Sequence, residues 1–272
     1  MSAGSHRSDE KSPAGSHTGF AECAIDDSDA DPEYAMAQQE MNQQKWESKD
    51  EKQAIQKVLP FTFAPNIRPL TMDDFESAVA LEHAAFPPEH RASREKIEYR
   101  LTACPELSMG LFCTAPPETA KEAGLETAEA AKPVETDRAD GAVSVLLAHI
   151  ISTASNNKVV TDDDMLYPKD WKTSGLTGHK VGHQQDGRMV AIHSLAVSPK
   201  VQGCGLGKLI MKAYLQQMQQ SGVADSVAIL CQDYLVDYYS RFGFQNLGES
   251  KATFGGGGWT DMNIQLDQKS ST

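Results

Sequence analysis

Seven residues, Gln202-Gly203-Cys204-Gly205-Leu206-Gly207-Lys208, separate an apolar run from an amphipathic one, and they restrict the fold of this chain more than any other segment. Upstream, Met189 to Val197 (MVAIHSLAV) has the β-branched and apolar character of a buried strand, which Ser198-Pro199 ends. Downstream, Leu209, Ile210, Ala213, Tyr214 and Met218 recur at helical spacing as far as Gly222. Strand, tight turn and helix in that order belong to an α/β architecture. Glycines allow a backbone to approach a ligand closely, and a helix N-terminus offers unpaired N–H groups and the positive end of a dipole, so the turn is a candidate diphosphate cradle. Two nucleotide-binding patterns do not fit. A Walker loop needs Ser or Thr where Leu209 stands, and Gly203-x-Gly205-x-Gly207 is not G-x-G-x-x-G. By spacing alone, an ordinary loop-to-helix turn fits as well as a phosphate site.

The remaining pattern extends this unit in both directions. Phe61 to Leu70 reads as a strand, and Thr71 with Asp74 as the cap of a helix whose apolar face includes Phe75, Val79 and Ala80. A second helix starts at Ser93 and stops at Cys104-Pro105, followed by strands over Leu107 to Cys113 and Gly141 to Ser152. After the glycine turn and its helix come a strand at Ser226 to Cys231, a short helix at Asp233 to Arg241, and a closing strand pair from Phe244 with Gly255 to Gly258 between its arms. This order predicts a mixed, mostly antiparallel sheet flanked by helices on both faces. Residues 1–58, rich in Ser, Asp, Glu, Gln and Gly, read as a disordered tail ahead of one domain over 59–268. Two polar stretches, about 114–140 and 153–187, read as flexible loop insertions. Thr161-Asp162-Asp163-Asp164 lacks the ligand spacing of a calcium loop and reads as a solvated charge run, so no metal is expected.

Charge and cysteine content exclude several classes of function. Acidic residues number 38 against 25 basic ones, a net charge of −13 that repels phosphate backbones and anionic lipid, so neither nucleic acid nor membrane is an expected partner. The five cysteines, Cys23, Cys104, Cys113, Cys204 and Cys231, are scattered and never spaced C-x-x-C, as in a reduced intracellular protein. The tail opens without an apolar core segment. A cytoplasmic monomer is the resulting expectation. Arg7-Ser8, Lys11-Ser12 and Ser16 are phosphorylatable in principle, but serines abound in any such tail.

Several motifs together resemble one family. Gln202-x-x-Gly205-x-Gly207 after Leu195-Ala196-Val197 is similar to the Q/R-x-x-G-x-G/A signature of GNAT acetyltransferases. Glu82-His83-Ala84-Ala85-Phe86, Cys104-Pro105-Glu106-Leu107-Ser108 and Asp237-Tyr238-Tyr239-Ser240-Arg241-Phe242-Gly243-Phe244 resemble the arylalkylamine (serotonin) N-acetyltransferase group, particularly its fungal members, which are associated with polyamines as well. The resemblance covers roughly Pro60 to Leu266 and implies a GNAT fold, acetyl-CoA as co-substrate and direct acetyl transfer to a small primary amine. It implies that Leu195, Ala196 and Val197 present backbone to the pantetheine arm and that Gln202, Gly203, Cys204, Gly205, Leu206, Gly207 and Lys208 bind the diphosphate. His193 matches the second histidine of the family's H-x-H motif, the water-mediated base, while the first is replaced by Ala191. Tyr239 matches the tyrosine that protonates the leaving thiolate. Phe86, Pro88 and Glu89 lie where the family's substrate loop does, and the resemblance implies that Leu195 also contacts the substrate.

These residue types suit that chemistry. An alkylamine is protonated at neutral pH and must lose a proton before it attacks a thioester, which asks for a base titrating near neutrality, and a leaving thiolate asks for a donor. Each residue also has a plainer reading: His193 as a core hydrogen-bonding residue, Tyr239 as packing beside Phe242 and Phe244, Phe254, Trp259 and Met262 as hairpin core rather than pocket wall. Adjacent Tyr238 would take Tyr239's place after a one-residue shift in register. Cys204 and Cys231 read as structural. Other acceptors, a protein lysine or N-terminus, and a non-catalytic acetyl-CoA-binding regulator are the alternative functions.

Overall fold

A computed structural model describes residues 49–135 and 141–267. The tail serines and Cys23, residues 136–140 of the first insertion and position 268 lie outside the described residues. Eight strands form one sheet in the order β1-β2-β4-β5-β6-β8-β7, with β3 paired beside β4. The strands are β1 (Pro65–Pro69), β2 (Met109–Ala115), β3 (Lys132–Pro133), β4 (Val143–Ser155), β5 (Met189–Val197), β6 (Ser226–Cys231), β7 (Gln245–Glu249) and β8 (Thr260–Gln265). Among the described residues only β5 and β6 pair in parallel, joined by a helix as such strands usually are, and the other pairings are antiparallel. β1 both starts and ends on proline, tolerated because it is the sheet's edge. This is the mixed, mostly antiparallel sheet that the sequence pattern predicts.

Helices cover both faces. On one, α7 (Leu206–Ser221) lays Ile210, Met211, Tyr214 and Met218 on the larger core, as its helical spacing requires. Its Tyr214 hydroxyl reaches through that core to the Leu107 carbonyl at 2.9 Å and to Ser152 Oγ at 2.6 Å, which fixes the helix against β4 and the approach to β2. On the other face, α2 (Phe75–Ala85) and α3 (Arg94–Ala103) pack Val79, Leu81, Ile97 and Leu101 against Phe112, Leu146 and Ile151. Thr71 and Asp74 form the capping box ahead of α2, and Ser93 caps α3 by accepting from the Lys96 N–H.

Three expectations are corrected. Order begins by Lys49 rather than near residue 59: a helix, α1 (49–58), buries Ile55 in the main core, and Leu59 follows it there. Gln56 holds the chain that follows, its amide donating to the Phe61 carbonyl while its oxygen accepts from the Phe63 N–H. The first insertion is folded up to Glu135, with α4 (Pro117–Glu122), β3 and buried Ala120, Leu125 and Ala128. Small alanines pack closely without aromatics, and Thr127 Oγ1 donates to the Leu146 carbonyl at 2.7 Å. The second insertion contains two single-turn helices, α5 (Asp162–Met165) and α6 (Trp171–Ser174). Its acidic run is structural: Asp164 completes a capping box with Thr161, and Asp162 accepts from the backbone N–H groups of Thr253 and Phe254.

Helix α1 is thus expected to contribute to global stability. Ile55→Ala should lower the unfolding free energy by about 2–5 kcal/mol, the usual loss for a buried aliphatic side chain. Urea titration reads this directly, and a change near zero would place α1 outside the cooperative core.

Candidate active site

The parallel ladder between β5 and β6 covers only Met189 to Ile192 against Ser226 to Ile229, so from His193 to Val197 the two strands part. On its other side β5 continues to pair with β4, but Ile151 and Ser152 face Ser194 and Ile192, leaving His193 as the extra residue of a bulge. The bulge resets the alternation of side chains. Val190 and Ile192, then Leu195 and Val197, pack toward the α7 core. His193 and Ser194, though adjacent, both contact groups on the α2 and α3 face. A parted edge therefore exposes backbone that an extended ligand arm can follow as an added strand.

The glycine turn lies just beyond that edge. Gly203 and Gly205 have φ of 76° and 81°, in the left-handed region, and Gly205 directly precedes α7. Cys204 and Leu206 bury their side chains in the core, so at those positions mainly backbone faces outward. Gln202 donates its amide to the Val197 carbonyl at 3.1 Å, tying the turn to the strand end. Gly207 lies close to Tyr238: a Cβ there would stand 2.8 Å from the Tyr238 hydroxyl, so a larger residue would have to push that side chain aside. The turn borders a cavity of about 330 Å³ with Val197, Lys208, Tyr238 and Glu51 among its walls. An α-helix end, a lysine and a strand edge fit a diphosphate with an attached arm.

His193 keeps a little surface, but its ring is enclosed. Nε2 lies 2.8 Å from Thr153 Oγ1 and Nδ1 3.2 Å from Met165 Sδ. Burial pushes its pKa well below the ordinary value, and Arg100 and Lys96 push it further in the same direction. The imidazole is therefore neutral at pH 7, but it is a weaker base than the one titrating near neutrality that the sequence leads one to expect, because burial and two neighbouring cations disfavour its protonated form. Lys96 is half-buried above the Phe254 ring, 4.7 Å from its centroid, and is pushed down to about 8, chiefly by burial and then by Arg100 and Lys169. Arg100 is fully buried, donates to the Met165 carbonyl at 3.3 Å and is pushed down to about 10 by the same desolvation.

Glu82, His149 and Ser194 make a buried network that the sequence gives no spacing to find, since α2, β4 and β5 each supply one member. Ser194 Oγ donates to Glu82 Oε2 at 2.6 Å, and His149 Nε2 stands 3.2 Å from the same oxygen and 3.1 Å from Ser194 Oγ. Glu82 Oε1 accepts from the Ala92 N–H at 2.8 Å. Burial alone would raise the Glu82 carboxyl, but these hydrogen bonds outweigh it and hold it below the ordinary range. Because His149 uses one nitrogen for both contacts, the trio is no relay for a serine nucleophile. It fastens the loop after α2 to the strand at the bulge.

That loop carries the expected substrate residues. Phe86 packs half-buried on the smaller core, while Pro88 and Glu89 are exposed. The loop meets the β7–β8 connection, where the His90 ring stands edge-on to Trp259 at 5.2 Å and Phe254 stacks on Trp259 at 6.3 Å. Met262, by contrast, is completely buried in the main core, as hairpin packing requires. Neighbouring Tyr238 and Tyr239 on α8 (Val236–Ser240) diverge: Tyr238 faces the glycine turn, whereas Tyr239 is buried with its ring against Phe244. Burial raises both phenols, Tyr239 more strongly, so both are protonated at neutral pH. All four described cysteines are buried and unpaired, and burial pushes Cys231 up to about 11, which removes it as a thiolate nucleophile at pH 7. Among the described residues no group of three or more His, Cys, Asp or Glu is placed to hold a metal, and no helix is long and apolar enough to cross a membrane.

His193 and His183 both have depressed pKa values in the folded chain. The unfolded chain therefore takes up protons first as pH falls through about 6.5, and folding stability falls with it. Melting temperature should drop between pH 7 and pH 5, and His193→Gln should flatten that slope. An unchanged slope in the variant would show that His193 is not held neutral by folding.

Residues 134–266 match the family model described as an acetyltransferase (GNAT) domain. Serotonin N-acetyltransferase from Macaca mulatta is 28% identical over 206 residues, covering 75% of this chain and 79% of that protein. Its counterpart from Homo sapiens is 26% identical over 206 residues, covering 75% and 78%. Among solved structures, the loading GNATL domain of CurA from Lyngbya majuscula is similar over 75% of this chain and 98% of that one, with a TM-score of 0.49 and 16% identity.

Proposed function

Since this chain carries a GNAT acetyltransferase domain, a family that uses acetyl-CoA, we propose that it transfers acetyl directly to the nitrogen of a small primary monoamine with an aromatic body. The observation that carries this reading is the parting of β5 from β6 at the His193 bulge, with the glycine turn at its far end. Acetyl-CoA supplies an activated thioester. Leu195 to Val197 offer backbone to its arm, and residues 202–208 with Lys208 hold its diphosphate.

The amine must arrive neutral, and the surroundings favour that form. Lys96 and Arg100 are cations beside His193, and nearby positive charge lowers the pKa of an incoming ammonium. With Nδ1–H toward Met165 Sδ, Nε2 carries the lone pair, and the amine proton reaches it through water or the Thr153 hydroxyl. The carbon–sulfur bond is exchanged for a carbon–nitrogen bond; Tyr239, kept protonated by burial, gives its proton to the leaving thiolate and regains one from solvent, to which His193 releases the proton taken from the amine. His90, Phe254 and Trp259 provide aromatic surface for the body of the substrate. The same two cations oppose a second ammonium, which disfavours a polyamine.

A panel of tryptamine, phenethylamine and spermidine tests both halves of the proposal. Aromatic monoamines should exceed spermidine in kcat/KM by at least about tenfold. Spermidine as the better substrate would overturn the preference. His193→Gln and Tyr239→Phe should each lower kcat by about 100-fold with little change in acetyl-CoA affinity. Tyr238→Phe should act on cofactor affinity instead, and the reverse pattern would move the acid to Tyr238.

A further inference from the structure

The diphosphate turn has a neighbour that belongs to neither the GNAT signature nor α7. Helix α1 lays the Glu51 side chain directly over Gly205: a Cβ built there would come within 2.6 Å of the Glu51 carboxyl carbon and 3.0 Å of Oε1. Oε1 also accepts from Lys208 Nζ at 3.3 Å. Glu51 thus stands among the walls of the 330 Å³ cavity beside the turn. A carboxylate at a helix N-terminus, paired with a lysine, satisfies the same electrostatic demands as a phosphate.

We propose that Glu51 is an intrachain stand-in for the diphosphate, which the coenzyme must displace from Gly205 and Lys208. This rests on the assignment of residues 202–208 to that diphosphate. Two anions cannot share the site without strong repulsion, so Glu51 has to swing away. Its helix need not move, because Ile55, one turn along the same face, is anchored in the core and Gln56 is hydrogen-bonded at the helix end. Both partners of the Glu51–Lys208 pair keep about a third of their side-chain surface, so the contact is weak enough to exchange. Glu51 therefore sets coenzyme affinity by competition, and the segment that carries it is the chain's entry into the domain.

Calorimetric titration of the full chain with CoA and with inorganic pyrophosphate tests this on wild type, Glu51→Gln, Glu51→Ala and Lys208→Met. Both Glu51 variants should tighten CoA and pyrophosphate about threefold to tenfold, the range set by a weak partly exposed ion pair, while Lys208→Met weakens both. Should Lys208→Met weaken binding while the Glu51 variants leave it unchanged or weaker, the stand-in is overturned and the turn keeps its role. Should no variant shift CoA affinity, the assignment of the turn fails and the stand-in with it. Melting curves without ligand confirm that the Glu51 variants remain folded, so a loss of affinity cannot be laid to misfolding.

Discussion

A sheet that stops pairing midway along one strand is the constraint on which the rest of this structure depends. Strands β5 and β6 share four residue pairs and then diverge, although both continue. Unpaired backbone inside a protein is costly, so the divergence persists only because other elements hold the strands apart. β4 keeps its grip on β5 as far as Val197, and β8 keeps its grip on β6 as far as Cys231. Between them lies an edge with its hydrogen-bonding groups available to a ligand.

The bulge at His193 turns this gap into a chemical site. Without the extra residue, His193 and Ser194 would face opposite sides of the sheet. With it, one meets Thr153 and Met165 and the other meets Glu82 and His149, so that the enclosed imidazole and the network fastening the loop after α2 lie side by side. Burial, aided by positive charge from Arg100 and Lys96, keeps the imidazole neutral, and the same charges would favour the neutral form of an arriving amine. The acidic net charge of the chain gives no hint of this local inversion of sign.

Most of the strand and helix order could be read from periodicity, because MVAIHSLAV, the α7 stripe and the Gly255 to Gly258 hairpin each carry a strong local signal. Helix α1 could not, because Ile55 and Leu59 are two apolar residues at the end of a polar stretch, and only contact with the main core reveals their worth. The first insertion was similarly hidden, since alanine packs tightly yet looks neutral in composition. The glycine turn was legible, but the carboxylate lying on it was not, being separated from Lys208 by 157 positions. Tyr238 and Tyr239 are chain neighbours on a short helix, about 100° apart around its axis. Only the fold distinguishes the one facing the turn from the one against Phe244. Glu82 belonged to a legible motif, whereas its partners in β4 and β5 had no spacing that pointed to them.

Asp162 has a wider meaning for how such a fold can diverge. By accepting from the Thr253 and Phe254 N–H groups, it clamps the glycine-rich hairpin to the single turn α5, whose Met165 touches His193. This side of the sheet thus joins two short segments far apart in the chain, α5 and the β7–β8 hairpin, to His193 on β5. Substitutions in these two segments can reshape this side of the sheet without disturbing the strand ladder that carries the glycine turn.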